Sequence, residues 1–242
     1  MPTTIKAALK KWEEATGNKA SEAKEIKINA MYPPIEKLDA SMSQMAKVEK
    51  LSLSTNYITT IANLGQLKHL KVLSLGRNVI KHLQGIEGAS DTLQVLWISY
   101  NQIDRLKPLR SMQKLKVLFM THNFVRDWRE FDHLSEIPKL EDLCFVGNPL
   151  EEAQQATGRW KDEVSKRLLA LKKLDGYPVI RDDIEDDEEE VQSTLDADEI
   201  ENMAKYFILG LYFSTYCKIM LCSKLNFSYI NSNSHLIFQR VR

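Results

Sequence analysis

The chain has 242 residues, and its 33 Lys and Arg are balanced by 33 Asp and Glu. That balance argues against the broad basic surface on which nucleic-acid binding rests, and three cysteines (Cys144, Cys217, Cys222) are too few for the disulfide-paired end caps of secreted repeat proteins. No charged-then-apolar leader opens the chain, because Lys6, Lys10 and Lys11 interrupt Ile5, Ala8, Leu9 and Trp12; an intracellular, cytoplasmic protein is expected.

Residues 3–16 predict an amphipathic helix with Thr3 or Thr4 as N-cap, Ile5, Ala8, Leu9 and Trp12 on one face, and Gly17 as the stop. Residues 1–20 are expected to form an N-terminal cap lying over an otherwise open apolar core. A degenerate unit follows, from Ile26 and Ile28 through Pro33-Pro34-Ile35 and Leu38 to Met42 and Met45.

From there a frame Leu-x-x-Leu-x-Leu-x-x-Asn-x-Leu recurs, placing Asn56, Asn78, Asn101, Asn123 and Asn148 at steps of 22, 23, 22 and 25 residues. The Leu-x-Leu pair reads as a short strand with both leucines on one face, since side chains alternate across a strand. Three residues later the chain must turn, and the Asn amide satisfies backbone groups the turn would otherwise bury unpaired. Apolar residues at steps of three, such as Ile58, Ile61, Leu64, Leu67 and Leu70, predict short helices or 3₁₀ turns on the opposite side. The expected fold is an α/β leucine-rich-repeat solenoid: about six units of 22–25 residues over 21–150, with parallel strands on the concave face and helical caps at both ends.

The residues flanking the inward leucines face outward on that concave sheet. Val72, Val95, Trp97, Val117 and Phe119 there, with Cys144 and Val146 beside them, make an apolar patch of the kind that marks a partner site. Cross-strand valines suit any sheet, but Trp97 and Phe119 share one column of adjacent repeats, and aromatic residues are frequent interface anchors. The Asn ladder is read as structural.

Beyond Gly147-Asn148-Pro149-Leu150, the spacing of Trp160, Val164, Leu168 and Leu171 predicts one helix over about 152–170, closed by a turn at Leu174-Asp175-Gly176. Residues 151–181 are thus the expected C-terminal cap. Eight of the nine residues from Asp182 to Glu190 are acidic, which predicts a solvated tail over 182–202. After Glu201 no acidic residue remains, and residues 203–242 hold eight of the chain's twenty aromatics. This last segment follows no repeat phase and reads as translated non-coding sequence; the alternative, a membrane anchor over Tyr206 to Cys222, is short and contains Lys218.

Catalysis finds little in the sequence. His122 and Cys144 fall in adjacent repeats, but no Asp or Asn is placed to orient the imidazole. There is no Gly-rich phosphate loop, no His-Glu-x-x-His and no zinc-spaced cysteine pair in the repeat region. A binding module without catalytic residues, metal or cofactor is expected.

Several segments go beyond the generic frame. Thr3-Thr4-Ile5-Lys6-Ala7, Pro33-Pro34-Ile35-Glu36-Lys37-Leu38-Asp39-Ala40, Leu73-Ser74-Leu75-Gly76-Arg77-Asn78, Leu96-Trp97-Ile98-Ser99-Tyr100-Asn101 and Leu171-Lys172-Lys173-Leu174-Asp175-Gly176 resemble the leucine-rich-repeat light chains of axonemal outer-arm dynein, in order, from residue 1 to about 190. The resemblance implies a non-catalytic subunit of the cilium or flagellum axoneme that binds a dynein heavy chain at the microtubule-binding stalk tip and tunes microtubule engagement, the microtubule itself standing as a second candidate partner. It also directs the segment from Tyr177 to Arg181 towards the motor. The 22-residue period is similar, too, to phosphatase-1 regulatory subunits, and a spliceosomal repeat protein is a third alternative.

Overall fold

The first leucine of each inward pair of the repeat frame lies on a strand of only three residues, the second falls just beyond its end, and these repeat strands pair with one another in parallel. A computed structural model of the chain describes residues 1–181; the expected acidic tail and the segment 203–242 lie outside the described residues. The strands are β1 (Glu25–Lys27), β2 (Lys50–Ser52), β3 (Val72–Ser74), β4 (Val95–Trp97), β5 (Val117–Phe119), β6 (Asp142–Cys144), β7 (Lys173–Leu174) and β8 (Tyr177–Pro178), hydrogen-bonded in that order. The register never slips. Ile26, Leu51, Leu73, Leu96, Leu118, Leu143 and Leu174 form one row through the sheet, all facing the core. Only β8 runs antiparallel, returning from β7 through Asp175 and Gly176, both at positive φ, the tight two-residue turn that right-twisted hairpins favour.

Opposite the sheet the steps of three become 3₁₀ helices at Ala40–Met45, Leu64–Gln66, Ile86–Ala89, Lys107–Ser111 and Asp132–Glu136. With three residues per turn, a 3₁₀ helix keeps residues three apart on one edge. Ile103, Leu106, Leu109, Met112 and Leu115 are accordingly all fully buried. The longest step, from Asn123 to Asn148, accommodates an extra helical turn, α2 (Trp128–Phe131), whose N-cap Asp127 accepts a hydrogen bond from Glu130 N–H.

The N-terminal cap is α1 (Ile5–Thr16), with Ile5, Ala8 and Leu9 buried and Gly17 ending it in the left-handed conformation. Thr4 is its N-cap, accepting from Ala7 N–H. Thr3 instead makes a parallel bridge to Ile35 and joins the cap to the first repeat. At the other end the single helix expected over 152–170 is two: α3 (Pro149–Gln155) and α4 (Trp160–Arg167). Gly158, at φ +69°, reverses the chain between them, a conformation that ends helices. That break lets Trp160 turn into the core, where its ring stacks on Phe145 at 5.4 Å and on Trp128 at 5.8 Å, with Phe131 edge-on to both Phe145 and Trp160. Trp160 Nε1–H donates to Asp175 Oδ2 at 2.8 Å, tying α4 to the hairpin turn. Burial holds the Asp175 carboxyl above its ordinary range despite that bond and the backbone N–H groups of Phe145 and Val146.

Candidate partner-binding surface

Strand register decides which outward side chains meet. Val72, Val95 and Val117 align across β3, β4 and β5, and Ser74, Trp97, Phe119 and Cys144 align across β3 to β6. The Trp97 and Phe119 rings stack with centroids 6.4 Å apart and planes 20° from parallel, within the range where offset aromatic pairs attract. Val72, Val95, Trp97, Phe119 and Val146 are half-buried. Val117 and Cys144, also expected on the open patch, are 4% and 8% exposed and so add little surface. Val117 sits in register between Val95 and Asp142, and Cys144 beside Phe119, whose ring is the larger of that pair. Among the described residues Cys144 forms no disulfide. Trp97 Nε1–H is buried and meets no acceptor among the described residues.

Around this patch the sheet carries hydroxyls: Ser54 and Ser74 Oγ are 2.7 Å apart, and Ser99 Oγ accepts from Thr121 N–H at 3.1 Å. Tyr177 lies on β8 at the end of the sheet, 42% exposed, with Lys161 Nζ 5.0 Å from its ring centroid. Arg181, half-buried, is the last described residue.

The asparagine amides form a ladder of hydrogen bonds from repeat to repeat. Asn101 Oδ1 accepts from Ile80 N–H in the preceding repeat at 3.0 Å, while its Nδ2 donates to Leu75 O and Ile98 O. Asn56, Asn78, Asn123 and Asn148 do the same with their own neighbours. Each amide thus closes its own turn and grips the one before it.

A second column escaped the sequence reading. The residue before each ladder asparagine is left-handed: Thr55, Arg77, Tyr100, His122 and Gly147 have φ between +53° and +76°. That backbone turns their side chains out of the leucine core, where three of them stack. Arg77 Cζ lies 4.7 Å from the Tyr100 ring centroid, and the Tyr100 and His122 rings are 4.5 Å apart. Burial, with Arg77 adding to it and Glu152 opposing, holds the His122 imidazole below its ordinary pKa and favours the neutral ring. His122 is thereby committed to Tyr100 and Gly147. The signal was in the sequence as the position preceding each Asn, but the φ angle that makes it a surface column was not.

Among the described residues no helix is long and apolar enough to cross a membrane, and no cluster of His, Cys, Asp or Glu is arranged to hold a metal ion. One three-residue strand per repeat, an asparagine ladder and a row of buried leucines define a leucine-rich-repeat protein. A family model for Leucine Rich repeats (2 copies) matches residues 91–133. The chain is 60% identical over 185 residues to dynein axonemal light chain 1 of Rattus norvegicus, a match spanning 76% of this chain and 97% of the relative. The Mus musculus protein of that name is 61% identical over the same length, and that of Chlamydomonas reinhardtii is 45% identical over 186 residues, 76% of this chain and 94% of the relative. The chain belongs to the dynein axonemal light chain 1 family.

Proposed function

We propose that this protein is a non-catalytic light chain of axonemal outer-arm dynein, resident in the axoneme of cilia or flagella. It seats the microtubule-binding stalk tip of a heavy chain on its concave patch, and it acts by modulation. Holding one state of the stalk tip more tightly than another shifts the motor's balance between them, with no chemistry of its own. The observation that carries this reading is the Trp97–Phe119 pair, stacked in register on the open face of the sheet. Val72, Val95 and Val146 extend that patch, and Tyr177 and Arg181 supply further contacts to the same partner. In domain terms, residues 1–20 and 151–181 serve as caps and 21–150 as the binding scaffold.

Family membership favours the dynein reading over the phosphatase-1 and spliceosomal alternatives. The test is binding of the purified chain to an outer-arm dynein stalk-tip domain, beside a Trp97→Ser/Phe119→Ser variant verified as folded. Binding that the variant loses supports both partner and patch. Equal binding by the two moves the site elsewhere, and no binding by the wild type sinks the stalk-tip reading.

A further inference from the structure

We propose that Arg77 is a second recognition point on this surface, taking a carboxylate of the same partner element that covers Trp97 and Phe119; the inference rests on the reading above.

Position comes first. Leu75 N–H donates to Trp97 O at 2.7 Å and Arg77 N–H to Ser99 O at 2.9 Å, so Arg77 joins the sheet one rung beyond Trp97, about 7 Å along the strand direction at 3.3 Å per residue. A single partner segment of modest size spans both. Because Arg77 has φ +55°, its side chain leaves the turn at the rim of the sheet.

Preorganisation follows. The guanidinium is held against Tyr100, which is braced by His122, and His122 rests on the bare α-carbon of Gly147. With one face given to an aromatic ring, a guanidinium keeps its in-plane N–H donors for a planar acceptor. Ordering it beforehand reduces the entropy lost on binding.

Charge completes the argument. Arg105, Arg110 and Arg167 are paired with Glu130, Glu136 and Glu163; Arg77, like Arg126, Arg129 and Arg159, makes no ion pair among the described residues, but Arg77 alone of these four is stacked on an aromatic ring of the neighbouring repeat. An aromatic centre with an arginine at its edge is the usual arrangement of interface anchors, and an unpaired cation at a rim selects a partner bearing negative charge.

The test measures Kd of the full chain for the outer-arm stalk-tip domain from low to physiological salt, for wild type, Arg77→Ala, Arg77→Lys and Trp97→Ser/Phe119→Ser, with a thermal melt of each. Arg77→Ala should bind about tenfold more weakly at low salt, the loss expected for a charge-assisted hydrogen bond, and with a flatter salt dependence. Arg77→Lys should keep the salt dependence but recover little of the affinity. An Arg77→Ala variant that matches wild type at every salt concentration, while Trp97→Ser/Phe119→Ser loses binding, overturns this inference and leaves the concave patch standing. Absence of wild-type binding overturns both.

Discussion

The imidazole of His122 lies against the α-carbon of Gly147: a Cβ there would fall 2.4 Å from Nδ1 and 2.6 Å from Cε1. Gly147 also has φ +76°, which costs other residues about 1–2 kcal/mol. Gly147→Ala is therefore expected to lose that amount and to push His122 off Tyr100. Urea unfolding of Gly147→Ala, His122→Ala and the double variant separates the two effects. If the clash matters, the double variant is more stable than the sum of the singles allows; strict additivity would leave backbone strain as the whole cause.

Asn101 is 5% exposed and serves Ile80 N–H, Leu75 O and Ile98 O at once. Asn101→Ala leaves those buried groups without that partner, so a loss of about 1–3 kcal/mol is expected. Any loss of partner binding should track the unfolded fraction and vanish at temperatures where the variant is fully folded. A folded Asn101→Ala variant with impaired binding would show that the ladder does more than support the solenoid.

Asn101 and His122 mark the boundary of what the sequence disclosed. The leucine rows and the Asn ladder were legible because a repeat imposes its own register: Trp97 and Phe119 are 22 residues apart, one full unit, and so must meet across β4 and β5. The stacked column of Arg77, Tyr100 and His122 was not, since its direction depends on a backbone φ that no side-chain pattern announces. The burial of Val117 and Cys144 was likewise hidden, because alternation gives the face of a strand but not how closely neighbours crowd it. The knot of Trp128, Phe131, Phe145 and Trp160 draws on α2, the residue just after β6, and α4, whose meeting depends on the chain reversal at Gly158. Periodicity is blind to contacts of that kind.

The Trp97 indole carries a buried N–H without an acceptor among the described residues, an arrangement that costs rather than contributes stability. Trp97→Phe removes the donor and keeps a ring against Phe119. Its unfolding free energy should stay within about 1 kcal/mol of wild type, the lost apolar area being offset by the lost desolvation penalty. Calorimetric melts decide the matter. A drop well beyond that range would mean the indole fills a space that Phe cannot.

Glu151 sits in the first turn of α3, 7% exposed, and accepts Gly147 N–H at 2.9 Å. Burial first, then repulsion from Asp175 and Glu152, raise its carboxyl above the ordinary value of 4.5, and the Gly147 hydrogen bond only partly opposes them. A carboxyl raised in the folded state binds its proton more tightly there than in the unfolded chain. Its favourable contribution is present below pH 4.5 and is lost as pH rises through the folded value. Glu151→Gln keeps an acceptor for Gly147 N–H and never ionises. The variant should therefore equal wild type in acid and exceed it in stability above neutrality, as measured by denaturant midpoints across that range. The opposite charge effect, attraction of the carboxylate to the α3 N-terminus, predicts the reverse ranking at neutral pH. A less stable Gln variant there would show that the helix end outweighs burial.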